Sequence, residues 1–283
     1  MLNPPLKKSA PTPWSQATRT ELGQIVGICF DIDDTFSSRG KITAEAFSAL
    51  WRLREAGYGL VPVTGRPAGW CDHIARFWPV DAVVGENGAF SFQMEGGVRR
   101  RLDTPGADPA GPARLAALAE SIRARFPHAI WASDQKYREF DLAIDICEDV
   151  PAWPAADVQS LIALCHRAGA HAKLSSVHVN TWFGEFDKRR GLKNWFDQGC
   201  PGLASDRRDA ARQAQLRNWD HWIYVGDSPN DEPLFEVFKH SVGVANLASY
   251  LDRLTHPPKW ITAAESGTGF SELANTLLAI LNK

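Results

Sequence analysis

Ile25-Val26-Gly27-Ile28-Cys29-Phe30-Asp31-Ile32-Asp33-Asp34-Thr35 is the stretch on which the reading of the chain turns. Its first six residues form a short apolar run with β-branched members. Such a run predicts a strand buried on both faces, as a parallel sheet requires. Asp31 and Asp33 then stand two residues apart, directly beyond the strand end. Two carboxylates brought together there are costly unless a cation or a proton holds them. One such pair alone can do no more than cap a turn, so the rest of the chain has to decide.

Working outward, Thr43 predicts the N-cap of a helix that stops at Gly57, and residues 58–63 predict a second strand. A helix over 68–77 and a strand over 82–84 follow. This β-α-β-α-β order predicts a doubly wound, Rossmann-like parallel sheet with right-handed crossovers, an α/β fold. The middle of the chain changes character. Short extended runs over 89–94, 98–102, 129–133, 140–146, 170–175 and 177–182 alternate with helices over 109–125 and 155–168. That pattern predicts an inserted α+β cap with a largely antiparallel sheet. The first pattern then resumes with a helix near 191–196, strands over 222–225 and 241–245, and a terminal helix over 270–281. The expected organisation is a Pro/Ser/Thr-rich mobile arm (1–24), a core (25–90 and 184–283) and a cap (91–183). Residues 200–219 read as a loop or exposed helix.

Composition narrows the function classes. The 283 residues carry 31 basic and 33 acidic side chains, a net charge of -2 that gives no sign of a nucleic-acid binder. No apolar stretch reaches the ~18 residues needed to span a bilayer, and prolines stand where a signal peptide would be apolar. Five scattered cysteines form no CxxC pair, which fits free thiols and a reducing, cytoplasmic setting.

Chemistry in open parallel sheets gathers beyond the carboxyl ends of the strands. Three such ends carry polar residues here: Asp31 to Thr35, then Thr64-Gly65-Arg66, then Gly226-Asp227-Ser228-Pro229-Asn230-Asp231. Each alone is ordinary turn chemistry; their order, each on its own strand end, is not. The acidic groups suit a hard, oxygen-seeking ion such as Mg²⁺.

In this pattern the chain resembles the haloacid dehalogenase superfamily of phosphohydrolases. Asp31-Ile32-Asp33-Asp34-Thr35 matches its first motif, Thr64 the second, Lys188 the third, and Gly226 to Asp231 the fourth. A cap between the second and third motifs looks like the C2-capped branch. Val84-Gly85-Glu86-Asn87-Gly88-Ala89 and the ending Ile261-Thr262 … Gly269-Phe270 look like its Cof-type members, which include sucrose-, trehalose- and mannosyl-3-phosphoglycerate phosphatases.

The resemblance implies a Mg²⁺-dependent hydrolysis of a small phosphorylated metabolite, a sugar or polyol phosphate. It implies Asp31 as nucleophile and Asp33 as acid and then base. Asp31, the Asp33 carbonyl and Asp227 would hold the metal, with Asp231 either a further metal-shell carboxylate or an orienting partner. Thr64 would donate to the phosphoryl group and Lys188, with Lys173 as its rival, would offset charge. Asp34 stands where many relatives have glycine, and Gly65, Arg66, Asn87, Gly88 and Asn230 complete the candidate pocket. Trp131, Trp182, Lys136, Tyr137, Arg138, His178 and Asn180 on the cap, and the Arg99-Arg100-Arg101 run, read either as substrate contacts or as ordinary packing and solvated surface. A phosphotransferase using the same aspartyl-phosphate and a non-catalytic phospho-ligand sensor are the alternatives.

Overall fold

The structure is a computed structural model that describes residues 10–106, 108, 110–175, 177–203 and 210–281. Along the chain the strands and helices run β1 (Thr12–Pro13), α1 (Arg19–Leu22), β2 (Gly27–Phe30), α2 (Ala44–Glu55), β3 (Gly59–Pro62), α3 (Ala68–Phe77) and β4 (Ala82–Gly85). There follow β5 (Phe90–Glu95), β6 (Val98–Asp103), α4 (Gly111–Arg125), β7 (Ile130–Trp131), β8 (Asp141–Asp145), α5 (Ala155–Arg167), β9 (His171–Leu174) and β10 (His178–Trp182). The last are α6 (Lys188–Asp197), α7 (Ala210–Leu216), β11 (Trp222–Gly226), α8 (Glu232–Val237), β12 (His240–Gly243), β13 (Trp260–Ile261) and α9 (Ser266–Leu281). The described residues fall into two compact units, one of those up to 60 and from 210 onward, the other of those from 61 to 203.

The first unit is built on a sheet of order β1-β13-β12-β11-β2-β3, in which every pairing from β1 to β2 is parallel. Every residue of β2, β11 and β12 is buried, as strands covered on both faces must be. Strand order steps one way from β2 to β3 and the other way from β11 to β12. The switch point of the sheet therefore falls between β2 and β11. Gly27 is there because Trp222 is its neighbour: a Cβ would come within 2.4 Å of the indole. Beyond the end of β2, Phe30, Phe36 and Phe270 pack with ring centroids 4.9 to 5.3 Å apart. Thr43 caps α2 as expected, its side chain accepting from Ala46 N.

Residues 12–22 correct the expectation of a mobile arm. β1 pairs with β13, and Thr18 closes a capping box with Glu21 at the start of α1. Trp14 is 1% exposed, packs edge-on against Trp260 at 5.5 Å and donates from Nε1 to Thr276 Oγ1 at 3.0 Å. Burying a ring of roughly 200 Å² at about 25 cal/mol per Å² is worth up to about 5 kcal/mol, which offsets part of the segment's ordering entropy alongside the β1–β13 pairing and the capping box.

The second unit holds two antiparallel sheets. One is β4-β5-β6, in which β5 and β6 turn back through Gly96 and Gly97, both at positive φ. Gly-Gly is a favoured two-residue hairpin loop for that reason. β4, expected as a third parallel strand, makes its ladder antiparallel with β5 and keeps one parallel bridge, Val63 to Val84. The other sheet, β7-β8-β10-β9, is the α+β element expected between 91 and 183. Its apolar face and helices α4 and α5 share one core around Ile122, Ile144, Leu161, Cys165 and Val179.

Of residues 200–219, those from 204 to 209 lie outside the described residues and α7 accounts for 210–216. Among the described residues, no helix is long and apolar enough to cross a membrane.

Candidate active site

Asp31 directly follows β2 and Asp227 directly follows β11, so adjacent strands present both carboxylates at the sheet's switch point. Asp31 N donates to Val225 O at 2.9 Å, carrying the ladder one residue past β2. Asp231 comes back to the same place because Pro229 to Asp231 form one turn of 3₁₀ helix. One carboxylate oxygen from each of Asp31, Asp227 and Asp231 lies within 4.8 Å of the others, and all three residues are buried. At that spacing, and with an effective dielectric constant near 20, each pair of like charges repels by roughly 3 kcal/mol. A divalent cation turns that repulsion into attraction, and three hard oxygen donors fit Mg²⁺.

The three carboxylates are not equivalent. Asp231 Oδ1 accepts from Tyr224 O–H, and its Oδ2 accepts from Asp227 N at 3.0 Å and Ser228 N at 3.3 Å. Burial, then the Asp231 and Asp31 carboxylates, push the Tyr224 phenol well above its usual range, so it stays a donor. Asp231 is thus tied down by its own loop, and its geometry is that of an orienting group. Asp227 Oδ1 accepts from Thr35 Oγ1 at 3.0 Å, and its Oδ2 faces Asn246 Nδ2 at 3.4 Å.

Asp33 and Asp34 are half-buried, and the Asp33 carboxylate is not one of the clustered three. Asp34 sits at φ +55, the left-handed region where glycine is at ease. Its N donates to Ser37 Oγ at 3.2 Å and its carbonyl accepts from Asn246 Nδ2 at 3.0 Å. Asn230, also half-buried, accepts at Oδ1 from Ser228 Oγ at 2.8 Å.

The second unit gathers the other expected residues. Thr64 is buried, its Oγ1 accepting from Arg66 N at 3.0 Å and its carbonyl from Asn87 N at 3.0 Å. Residues 86–88 all adopt positive φ, and a Cβ on Gly88 would come within 1.9 Å of Asp187 O. Glycine there lets this turn pack on the start of α6, where buried Lys188 is the first helical residue and Asp187 the cap. Gly191 completes the close approach, since its own Cβ would come within 2.5 Å of the Gly88 backbone. Lys173, the rival lysine, is exposed on β9.

Arg66, a candidate phosphate contact, has its guanidinium engaged within its own unit. Nη2 meets Glu148 Oε1 at 2.8 Å, Nη1 meets Asp134 Oδ2 at 3.4 Å, and the group lies 4.5 Å over the Trp70 ring. His178 Nε2 stands 2.9 Å from Glu148 Oε2. His178 and Arg66 together hold the Glu148 carboxyl down at about 2.

Several cap residues read as possible substrate contacts have packing partners instead. Trp182 stacks between His171 and Phe186, Asn180 donates to Asp141 Oδ2 at 2.9 Å, and Arg138 pairs with Asp134 and Asp141. Tyr137 is 48% exposed with Lys136 over its ring, and Trp131 is half-buried beneath Arg123. Arg99 pairs with Asp72, Arg100 with Glu95, and Arg101 with Asp103 and Glu139.

Thr35, Tyr224, Asn246 and Glu86 are polar residues at these sites that were not singled out from sequence. Thr35 and Glu86 lie inside quoted motifs; nothing local marks Tyr224 or Asn246.

Residues 28–99 match the family model of haloacid dehalogenase-like hydrolases. No curated protein matches the chain. Among solved structures it is similar to a HAD/COF-like hydrolase from Plasmodium vivax, with 16% identity, 94% of this chain and 99% of that one covered, and a TM-score of 0.65. It is similar to the C-terminal domain of trehalose-6-phosphate phosphatase from C. albicans, with 10% identity, coverage of 96% and 99%, and a TM-score of 0.68. A HAD-superfamily phosphatase from Bacteroides thetaiotaomicron matches with 15% identity, coverage of 96% and 100%, and a TM-score of 0.57. At such identities the likeness is one of fold. Residues 28–99 thus carry the sequence likeness to the haloacid dehalogenase-like hydrolases, and the fold is shared with the similar structures over most of the chain's length.

Proposed function

We propose that the protein is a Mg²⁺-dependent phosphomonoesterase that hydrolyses a small phosphorylated metabolite through an aspartyl-phosphate on Asp31. The observation that carries this reading is the buried convergence of Asp31, Asp227 and Asp231 at the ends of β2 and β11 and the loop that follows. In the first step an Asp31 carboxylate oxygen bonds to phosphorus while the bond to the leaving oxygen breaks, and Asp33 gives that oxygen its proton. In the second, Asp33 takes a proton from water, the water oxygen bonds to phosphorus, and the Asp31–phosphorus link breaks. Asp33 suits this exchange of protons because it is half-buried rather than locked into the acidic cluster.

The residues that would hold Mg²⁺ are Asp31, Asp227 and the Asp33 carbonyl, with Asp231 orienting the Asp227 loop. When bound, the ion supplies positive charge for the phosphoryl oxygens. Thr64 is assigned as a phosphoryl donor, since its oxygen already accepts from Arg66 N and its proton remains to be given. Lys188 is assigned to offset negative charge. A sugar or polyol phosphate is the substrate class favoured, supported by the trehalose-6-phosphate phosphatase among the similar folds. Five free cysteines fit action in a reducing, cytoplasmic compartment.

The test is phosphate release from a broad panel of phosphometabolites, with Mg²⁺ and with chelator, and product analysis in the presence of an acceptor sugar. Metal-dependent release of inorganic phosphate is expected. A new phosphate ester on the acceptor would replace hydrolysis with transfer, and silence across the panel from folded, metal-replete protein would overturn the reading.

A further inference from the structure

Glu86 carries a fully buried carboxyl group to which the proposed chemistry gives no role. It follows β4, and main-chain N–H groups from two separate segments surround it. Oε1 accepts from Ala68 N and Glu139 N, both at 3.0 Å. Oε2 accepts from Glu139 N at 3.0 Å, Phe140 N at 2.6 Å and Asp141 N at 3.2 Å. Burial and the neighbouring Asp141 carboxylate push the Glu86 carboxyl up to about 8, against the opposing pull of the Phe140, Glu139 and Ala68 donors.

The backbone of the same residue makes a further tie. Glu86 N donates to Arg66 O at 3.1 Å, and Asn87 N donates to Thr64 O at 3.0 Å. The loop carrying Thr64 is therefore held at Thr64 O, Arg66 O and Ala68 N by two consecutive residues. Asp141 closes the circuit: its carboxylate faces Asn87 Nδ2 at 3.4 Å and pairs with Arg138 Nη1 at 2.9 Å, and that nitrogen also donates to Gly65 O at 2.9 Å. Glu86 and Asn87 are non-glycine residues at φ +41 and +55, a conformation that persists only where the surroundings over-determine it. Gly88 then sets the turn against Asp187 and the start of α6.

We propose that Glu86 is a positioning residue: its two side-chain oxygens clamp the 64–68 loop to the start of β8 and so fix where the Thr64 hydroxyl lies relative to the start of α6. The catalytic half of this inference rests on the phosphatase reading; the clamp itself does not.

Two measurements test it, on wild type, Glu86→Gln, Thr64→Ala and the double variant. Gln keeps the size of the side chain but turns an amide N–H₂ toward N–H donors. In wild type, amide hydrogen exchange of Ala68, Glu139 and Phe140 is expected to be as slow as in β8, although these residues belong to no strand ladder. Exchange as fast as in the exposed Gly96-Gly97 loop overturns the clamp, even if the variant fails to fold. In Glu86→Gln these amides are expected to exchange at least ~10-fold faster, with α4 and α5 unchanged; no change overturns it too.

For turnover, Glu86→Gln is expected to lower kcat by about 10- to 100-fold with KM within about 3-fold, and to cost less than about 3-fold more once Thr64 is Ala. Fully multiplicative losses overturn positioning through Thr64. Wild type that turns over no phosphate ester removes the phosphatase reading and the catalytic half, while the exchange data still decide the clamp.

Discussion

Asn246 Nδ2 donates to the carbonyl of Asp34 at 3.0 Å and faces Asp227 Oδ2 at 3.4 Å, so one side chain joins the loops that follow β2 and β11. Its Oδ1 accepts from Ser266 N at 3.0 Å, at the start of α9. Such a residue ties the loop that follows Asp31 to the carboxylate of Asp227. Outer partners of ligating carboxylates are typically worth about 10- to 100-fold in metal affinity. Asn246→Ala is expected to weaken Mg²⁺ binding by about tenfold in calorimetric titration, with thermal stability changed little. Unchanged affinity would remove Asn246 from the site.

Gly88 has the tightest surroundings of any glycine described. At φ +105, with Asp187 O 1.9 Å from where a Cβ would stand, no movement of a flexible side chain relieves the clash. Gly88→Ala is expected to destabilise the protein by more than ~3 kcal/mol, since it adds backbone strain to overpacking. Thermal or urea denaturation would read this directly. The exposed Gly96, with nothing within 4 Å of its Cβ position, serves as the control for left-handed strain alone.

His240 on β12 supplies a pH dependence of stability remote from the chemistry. It is 2% exposed, stacks on Trp260 with centroids 5.9 Å apart, and its Nδ1 has no hydrogen-bond partner among the described residues. Burial first, and then Lys259 and Lys239, push its pKa from 6.5 down to about 4. A depressed folded value means that the unfolded chain binds the proton first as pH falls. The neutral ring's contribution is therefore fully present above about 6.5 and is lost as pH falls through about 4. Urea midpoints between pH 7 and pH 4 should drop, and His240→Phe should remove about 2 kcal/mol of that drop. An identical slope in the variant would contradict this account.

Much of this was legible locally. Helix α3 falls on 68–77 as its pattern predicts, and the strand ends that carry Asp31, Thr64 and Asp227 are marked by apolar runs stopping at polar residues. The helix expected near 191–196 begins three residues earlier, at Lys188, where Asp187 caps it. The losses have one physical cause, since tertiary partners decided them. Trp14 sits among prolines and serines, and its burial depends on Trp260, nearly 250 residues later. β13 is two residues long and α8 six, too short for any periodicity to show. Asn246 and Glu86 act through backbone groups far away in sequence, and no local pattern announces such bonds.

The central claim is that Asp31 is the nucleophile, and the most direct test compares phosphate release by wild type and Asp31→Asn on the same substrate in Mg²⁺. Asn has nearly the same shape but lacks the carboxylate that attacks phosphorus, so release is expected to fall by at least ~10³-fold while the protein stays folded. Equal release from wild type and Asp31→Asn would contradict the account.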